Sequence, residues 1–156
     1  LAQGSDPTAA PDTESTPAAG GGAVTIIDES GVELAVITVN SMEEGWTGFA
    51  DDDAPSTGAQ YVRMNVTVES RTARGVFDVD ADNFILQDDA GFLTDSESVP
   101  TPEQDAADED VVDEAVLAGG ETIELDLTFS VVNGSAPMQV FYRNGSNQLV
   151  TVHLFG

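Results

Sequence analysis

Four aspartates near the middle of the chain have the spacing of a calcium-binding loop. Asp78, Asp80, Asp82 and Asp89 fall at positions 1, 3, 5 and 12 of such a loop, in which a tight turn wraps oxygen ligands around Ca²⁺. The usual loop glycine is replaced by Asn83, and the bidentate glutamate is replaced by Asp89. These carboxylates are the candidate ligands for Ca²⁺ or another cation, and no other cofactor is indicated.

The same segment also has the pattern of a strand. Phe84 and Leu86 have the spacing of core residues, and a calcium loop would pull them out of the sheet. The aspartates would then lie on a solvated strand edge. Two acidic runs, 51–53 and 108–110, predict only loose counterion binding, because consecutive side chains rarely converge on one ion.

Groups that could perform catalysis are sparse. His153 is the single histidine of the chain, and it lies in the last predicted strand on the face shared by Leu149, Thr151 and Phe155. A structural, partly buried histidine is predicted there, because no reactive serine motif accompanies it. The chain contains no cysteine, which excludes disulfides, zinc thiolates and a thiol nucleophile. The sequence therefore predicts a protein that is not an enzyme.

Two aromatic residues, Trp46 and Phe49, lie in a predicted polar loop at 40–58. They could form an exposed patch that contacts a partner, or they could plug the end of a sandwich. The sequence leaves both interpretations open.

Three asparagines begin an Asn-x-Ser/Thr triplet, the acceptor signal for N-glycosylation. Asn65 lies in the middle of a predicted strand, whereas Asn133 and Asn144 lie at predicted turns. Asn133 and Asn144 are therefore the candidate glycosylation sites, if the source organism glycosylates its secreted proteins.

The charge balance of the chain is extreme. Its 29 acidic residues stand against four arginines and no lysine, which gives a net charge of -25. This excludes ordinary nucleic-acid binding, which needs a basic face, and it disfavours docking on anionic lipid. Salt or bound cations must screen the self-repulsion. A halophilic source, a secreted protein that meets calcium and a generally acidic proteome would each explain such a composition.

The start of the chain favours export. Leu1, Ala2 and Gln3 resemble the neighbourhood of a signal-peptidase cut, and no stretch approaches the roughly 20 apolar residues of a membrane-spanning helix. We therefore expect a secreted or cell-surface protein without membrane insertion. Residues 1–22 are rich in Ala, Gly, Pro, Ser and Thr and predict a tail or linker.

From residue 23 onward the chain has the periodicity of strands. Val62, Met64, Val66 and Val68 alternate with polar residues, as in a half-buried strand of an antiparallel sheet. Residues 101–116 predict a short helix, with a solvated loop as the alternative. About seven to nine short strands indicate an all-β, immunoglobulin-like antiparallel sandwich over 23–156. The other strand segments are 23–27, 33–39, 77–79, 84–86, 123–131, 138–143 and 148–155.

Four stretches carry a family resemblance. The segments are YVRMNVTVES (61–70), DADNFILQDDAG (80–91), LAGGETIELDLTFSV (117–131) and PMQVFYRN (137–144). Together they resemble the telokin-like, immunoglobulin-type extracellular domains of microbial surface lipoproteins, a family of unknown function. The resemblance covers about residues 30–152 and implies a sandwich fold outside the cell.

The chain also departs from the pattern of that family. Ser70 stands where the strand usually ends in asparagine, the acidic 95–114 segment is long, and the anchor cysteine is lacking. The last departure puts membrane attachment in doubt.

Two functions remain open. In one, the chain is a structural subunit of a cell-surface fibre or layer, whose N-terminal segment crosses to another copy of the same chain. In the other, it is a monomeric secreted or surface binding module in which loops 41–58 and 95–114 present a ligand or cation site.

Overall fold

A computed structural model describes residues 22–145 and 148–155, and this part of the chain is an antiparallel β-sandwich. The predicted all-β fold is confirmed. The predicted tail, 1–22, lies outside the described residues except for Gly22. One sheet has the strand order β1-β2-β3-β8, the other has the order β10-β9-β5-β6, and β4 pairs with β7 in a two-stranded ribbon. The strands are β1 Ala23–Ile27, β2 Glu33–Trp46, β3 Ala59–Ser70, β4 Val76–Asp80, β5 Phe84–Asp88, β6 Leu93–Asp95, β7 Glu114–Ala118, β8 Thr122–Val132, β9 Pro137–Asn144 and β10 Gln148–Leu154.

The connections between the sheets are those of an immunoglobulin-like sandwich. The chain passes from β3 in the first sheet to β5 in the second, and again from β8 in the first to β9 in the second. Within the sheets β3 neighbours β8 and β5 neighbours β9, which is the arrangement of the B, E, C and F strands in that fold. The sheets stack with β1 against β10 at one edge and β6 against β8 at the other.

The core follows from the alternation seen in the sequence. In β3, Val62, Met64, Val66 and Val68 are all fully buried, and each pairs across the sheet with an apolar residue of β8. Burying such a side chain contributes about 1.5–3 kcal/mol relative to leaving it exposed. The second sheet adds a matching row of buried side chains from β5, β9 and β10, namely Phe84, Leu86, Val140, Tyr142 and Val152.

Strand β2 is longer than its periodicity indicates. The predicted strand ended at residue 39, but β2 continues to Trp46, so the first part of the predicted loop 40–58 is a strand. A bulge between Val39 and Ser41 shifts the register with β3 by one residue. After the bulge, the other set of alternate residues faces the core. A second bulge, between Glu44 and Trp46, places Trp46 opposite Tyr61.

The predicted helix at 101–116 is correct only in its first turn. Helix α1 spans Pro102–Ala106, and Thr101 caps it through a hydrogen bond from the Gln104 amide. The strand β7 lies at the end of the predicted range and pairs with β4. Together with the short β6, this brings the described chain to ten strands, one more than the predicted maximum.

Candidate functional site

The four calcium-spaced aspartates are spread over strand β4 and the turns that follow β4 and β5. Asp78 and Asp80 belong to β4, and Asp82 follows in a 3₁₀ turn at Ala81–Asn83. Asp89 comes after the whole of β5, about 16 Å further along the chain at 3.3 Å per residue. Phe84 lies in the core with 0% exposure. Burial of its ring stabilises the strand arrangement, whereas a calcium loop would require the ring to leave the core.

The part of the chain that the structure describes holds no group of three or more His, Asp or Glu side chains placed to bind a metal ion. In that region the carboxylates make local hydrogen bonds instead. Asp80 accepts from the Asp82 amide at 2.9 Å and so caps the 3₁₀ turn. The strand-edge interpretation therefore describes these residues better than the calcium-loop interpretation.

The two predicted contact residues lie in an aromatic cluster with a partly buried arginine. Trp46 and Phe49 are half-buried, and their ring centres lie 5.9 Å apart in an edge-to-face arrangement. Tyr61 lies 5.6 Å from Phe49, and the Arg63 guanidinium lies 4.1 Å from the centre of a Trp46 ring. The cluster is thus a packed unit on the outer face of the first sheet and is only partly open to solvent.

Arg63 connects this cluster to the strand on its other side. Its NH1 group donates to Thr128 Oγ1 at 2.6 Å and to the Val99 carbonyl at 3.1 Å. The carboxylate of Asp126 lies 3.7 Å from its other terminal nitrogen. Burial lowers the pKa of Arg63, and Asp126 acts in the opposite direction. An arginine remains charged despite such a shift.

The two predicted ligand-binding loops meet above this cluster. The amide of Ala50 donates to the Pro100 carbonyl at 3.0 Å, and Glu97 forms a bridge to Thr128 of β8. Tyr61 donates its hydroxyl to the Asp53 carbonyl, and burial together with Glu97 and Asp53 raises its pKa. The segments 48–57 and 96–101 therefore cover one end of the first sheet.

Next to this cover is an open, acidic depression of about 390 Å³. Ser98 donates to Asp113 across it at 3.1 Å. Its shape is too open to enclose a small ligand, and its carboxylates repel anions. The lining residues are Ser98, Pro100, Glu109, Asp110, Val111 and Asp113.

His153 is half-buried near the end of β10, where a bulge places it opposite Val140. Its ring meets Phe155 edge to face, with the ring centres 4.8 Å apart. Burial lowers its pKa. These surroundings are those of the structural histidine that the sequence predicts.

The two candidate glycosylation sites differ in their surroundings. Asn133 is exposed in the turn between β8 and β9. Asn144 is half-buried, and its Nδ2 donates to the Ile27 carbonyl at 2.8 Å and to Gln148 Oε1 at 2.9 Å. The third triplet begins at Asn65, whose side chain bonds to Asn40 and Asp126. The side chain of Asn133 therefore has the more open position of the two candidates.

Solved structures resemble the described sandwich. The chain is similar to MPT63, a secreted protein from Mycobacterium tuberculosis, with a TM-score of 0.58 and 18% identity over 85% of this chain and 92% of that one. It is also similar to a Bacillus subtilis protein assigned as a lipoprotein (ycdA), with a TM-score of 0.53 and 16% identity over 76% of this chain. The chain spans only 35% of that second protein.

At these identities the similarity shows a shared fold. No family model matches the chain, and no curated protein matches it. The resemblance to the telokin-like family therefore stays a prediction. No helix among the described residues is long and apolar enough to cross a membrane.

One surface of the molecule was not anticipated from the sequence. In the second sheet, Ile85, Gln87 and Phe141 lie on the side that faces away from the core. The residues that pair with them on the neighbouring strands lie on the same side. Of these positions only Asp95 and Arg143 are charged, so the face has no net charge in a chain of -25. The other members are Leu93, Gln139, Leu149, Thr151 and Leu154. In three predicted strands, the alternate residues on one side carry no carboxylate. This pattern in the sequence could have revealed the surface.

Proposed function

We propose that this chain is a non-catalytic extracellular protein that acts through protein contacts, as a structural subunit of a cell-surface fibre or layer assembled through its N-terminal segment. The secreted protein and the assigned lipoprotein among its structural neighbours support the extracellular location. The half-buried position of the single histidine supports a role without catalysis.

The observation that carries the assembly proposal is the edge strand β1. Among the described residues it pairs with β2 alone and occupies the end of its sheet. Its sequence, AVTII, contains no charged residue, although natural proteins commonly protect sheet edges with charges. The N-terminal segment enters the domain directly before this strand. An incoming segment from another copy can add to such an edge through main-chain hydrogen bonds.

The register indicates which backbone groups are available at this edge. The Gly22 carbonyl accepts from the Val39 amide at 3.1 Å, and bonded pairs alternate along an antiparallel ladder. Val24 and Ile26 therefore bond towards β2, whereas Ala23 and Thr25 direct their backbone groups to the open edge. A contact of this kind is head-to-tail, and it can propagate into a fibre.

A second candidate function is a monomeric binding module. The hydrogen bond between Ala50 and Pro100 favours it, because it joins the predicted loops 41–58 and 95–114 into one surface. Trp46 and Phe49 lie beside that junction as the candidate contact residues.

Light scattering of the purified full chain, at low and high salt and with and without Ca²⁺, tests the assembly proposal. We expect large species that disappear when residues 1–22 are deleted. Thr25→Pro should have the same effect, because proline removes the outward amide while leaving the pairing with β2 intact. Thr25→Val, which keeps the amide, is the matched control and should assemble. A monomer under every condition would overturn the proposal and favour the binding module.

A further inference from the structure

We infer that the outer face of the second sheet is a contact surface for a second copy of this chain. The inference rests on the proposed self-assembly and assigns to it an additional, separate surface. This surface, called here the neutral face, consists of the ten outward residues of β5, β6, β9 and β10 named above.

The neutral face exposes apolar side chains. Leu93 is 56% exposed, Leu149 is 47% exposed and Leu154 is 71% exposed. Phe92, in the turn at its rim, is 69% exposed. The three leucines lie on the two edge strands of one face, with Gln87 and Gln139 between them. Exposed apolar side chains rimming a polar centre can contribute to an interaction surface.

The uncharged polar residues of the neutral face are already bonded to one another. Gln139 donates to Gln87 at 2.8 Å, and Thr151 donates to Gln139 at 3.0 Å. This row ties three strands together across the face. A partner that covers this row would bury few polar groups that lack a hydrogen-bond partner. The desolvation cost of a contact with the row is therefore low.

Charge decides which partner fits. Two copies that each carry -25 can meet only where their carboxylates are not buried against one another, since like charges in contact cost several kcal/mol. The outer face of the first sheet presents Glu43, Glu69, Glu124 and Asp126 against Arg63. The neutral face carries one charge of each sign, so it is the sheet surface on which a second copy meets little repulsion.

The geometry suits a two-fold contact. With an axis parallel to the strands and midway between β9 and β5, Leu93 of one copy lies over Leu154 of the other, and Gln87 lies over Gln139. Four strands about 4.8 Å apart and about 17 Å long give a footprint of about 300 Å². This is below the roughly 800 Å² per partner of a standard interface, so the contact is weak and reversible in solution.

Sedimentation velocity on the full chain tests the inference, over a concentration series in about 0.1 M and about 1 M NaCl, where the Debye length is about 10 Å and about 3 Å. We expect the sedimentation coefficient to rise with protein concentration, and to rise more in high salt. The double substitution Leu93→Glu with Leu154→Glu should weaken this association at least tenfold. Circular dichroism checks that the variant is folded, which its exposed positions favour.

The matched control adds the same charge elsewhere. Val116 and Val132 are 64% and 62% exposed and lie outside the neutral face, so Val116→Glu with Val132→Glu should associate within about twofold of the wild type. Equal weakening in both double variants would mean that net charge alone is responsible, and it would overturn the inference. So would wild-type association of the Leu93/Leu154 variant.

The Thr25→Pro variant separates this inference from the proposed function. If both are correct, Thr25→Pro loses the large species but keeps the concentration-dependent pairing. If only the Leu93/Leu154 variant changes the association, the neutral face is supported and assembly through the N-terminal segment fails. If only Thr25→Pro changes it, the inference is overturned and the proposed function stands. A monomer throughout overturns both.

Discussion

The guanidinium of Arg63 lies 4.1 Å from the centre of a Trp46 ring. Arg63 is one of only four arginines in a very acidic chain. Its guanidinium lies against an aromatic ring and donates hydrogen bonds to neutral acceptors on Thr128 and Val99. The contact joins β2 to β3, while the hydrogen bonds extend to β8 and to the segment that follows β6. One side chain therefore fixes four parts of the structure at the covered end of the first sheet.

Replacing Arg63 should destabilise the fold. Arg63→Ala removes the stacking on Trp46 and leaves the buried Thr128 hydroxyl and the Val99 carbonyl without their donor. We expect the free energy of unfolding to fall by about 2–4 kcal/mol. Arg63→Lys should recover part of this loss, because a lysine keeps the charge but lacks the planar fork. Denaturant unfolding at fixed salt measures both variants.

Arg74→Ala is the control for the loss of one positive charge. Arg74 is exposed, so its removal should change the free energy of unfolding by no more than about 0.5 kcal/mol. If Arg63→Ala cost no more than this control, its effect would reflect net charge rather than the contacts described here.

Local alternation was enough to predict the sandwich but not all of its parts. β1 was predicted at its observed bounds, 23–27, because a turn sequence follows a short run that is mostly apolar and β-branched. The second half of β2 was missed, since the bulge at Asn40 shifts the alternation that marks a strand. The short β6 contains too few residues for a periodic signal, and β7 begins inside the acidic 101–116 segment that predicted a helix or loop.

The candidate site was harder to predict than the fold. Arg63 stands on the polar face of a strand, where the sequence predicts exposure to solvent. Its burial depends on the loop that contains Val99 folding back over the sheet, a long-range event with no local signal. The spacing of Asp89 alone could not show that an extended strand separates it from Asp82.

Calcium should act on this chain as a general screening ion rather than through the 78–89 segment. Asp80→Ala removes the cap on the Asp82 amide and should cost about 1 kcal/mol, whereas Asp89→Ala changes an exposed turn residue and should cost little. We expect CaCl₂ to raise the Tm by about as much as NaCl of matched ionic strength does, in the wild type and in both variants. A calcium-dependent rise that both substitutions abolish would restore the calcium-loop hypothesis.

Glycosylation should be tolerated at Asn133 and not at Asn144. A glycan on Asn133 projects from an exposed turn, whereas one on Asn144 would replace a hydrogen of the amide that bonds to Ile27 and Gln148. Expression in a glycosylating host, followed by peptide mass spectrometry, should find higher occupancy at Asn133. Asn133→Gln should leave the Tm of the unglycosylated protein unchanged, whereas Asn144→Ala should lower it. Equal occupancy at both sites, with an unchanged Tm, would contradict this prediction.

The single histidine should make stability depend on pH in a defined direction. Burial lowers the pKa of His153 in the folded state below its ordinary value of 6.5, so the unfolded chain binds the proton more tightly. The contribution of the neutral ring is therefore complete above about pH 6.5, falls as pH drops through the folded-state pKa, and is constant below it.

The variant His153→Gln isolates this contribution from the titration of the many carboxylates, which it leaves in place. The difference in unfolding free energy between wild type and variant, measured by denaturant titration at several pH values, should move against the wild type as the pH falls below about 6.5. A difference that is constant with pH would show that His153 is solvated in the folded protein. A difference that moves in favour of the wild type would require a carboxylate partner that raises the pKa of the ring, whereas among the described residues burial alone shifts this pKa.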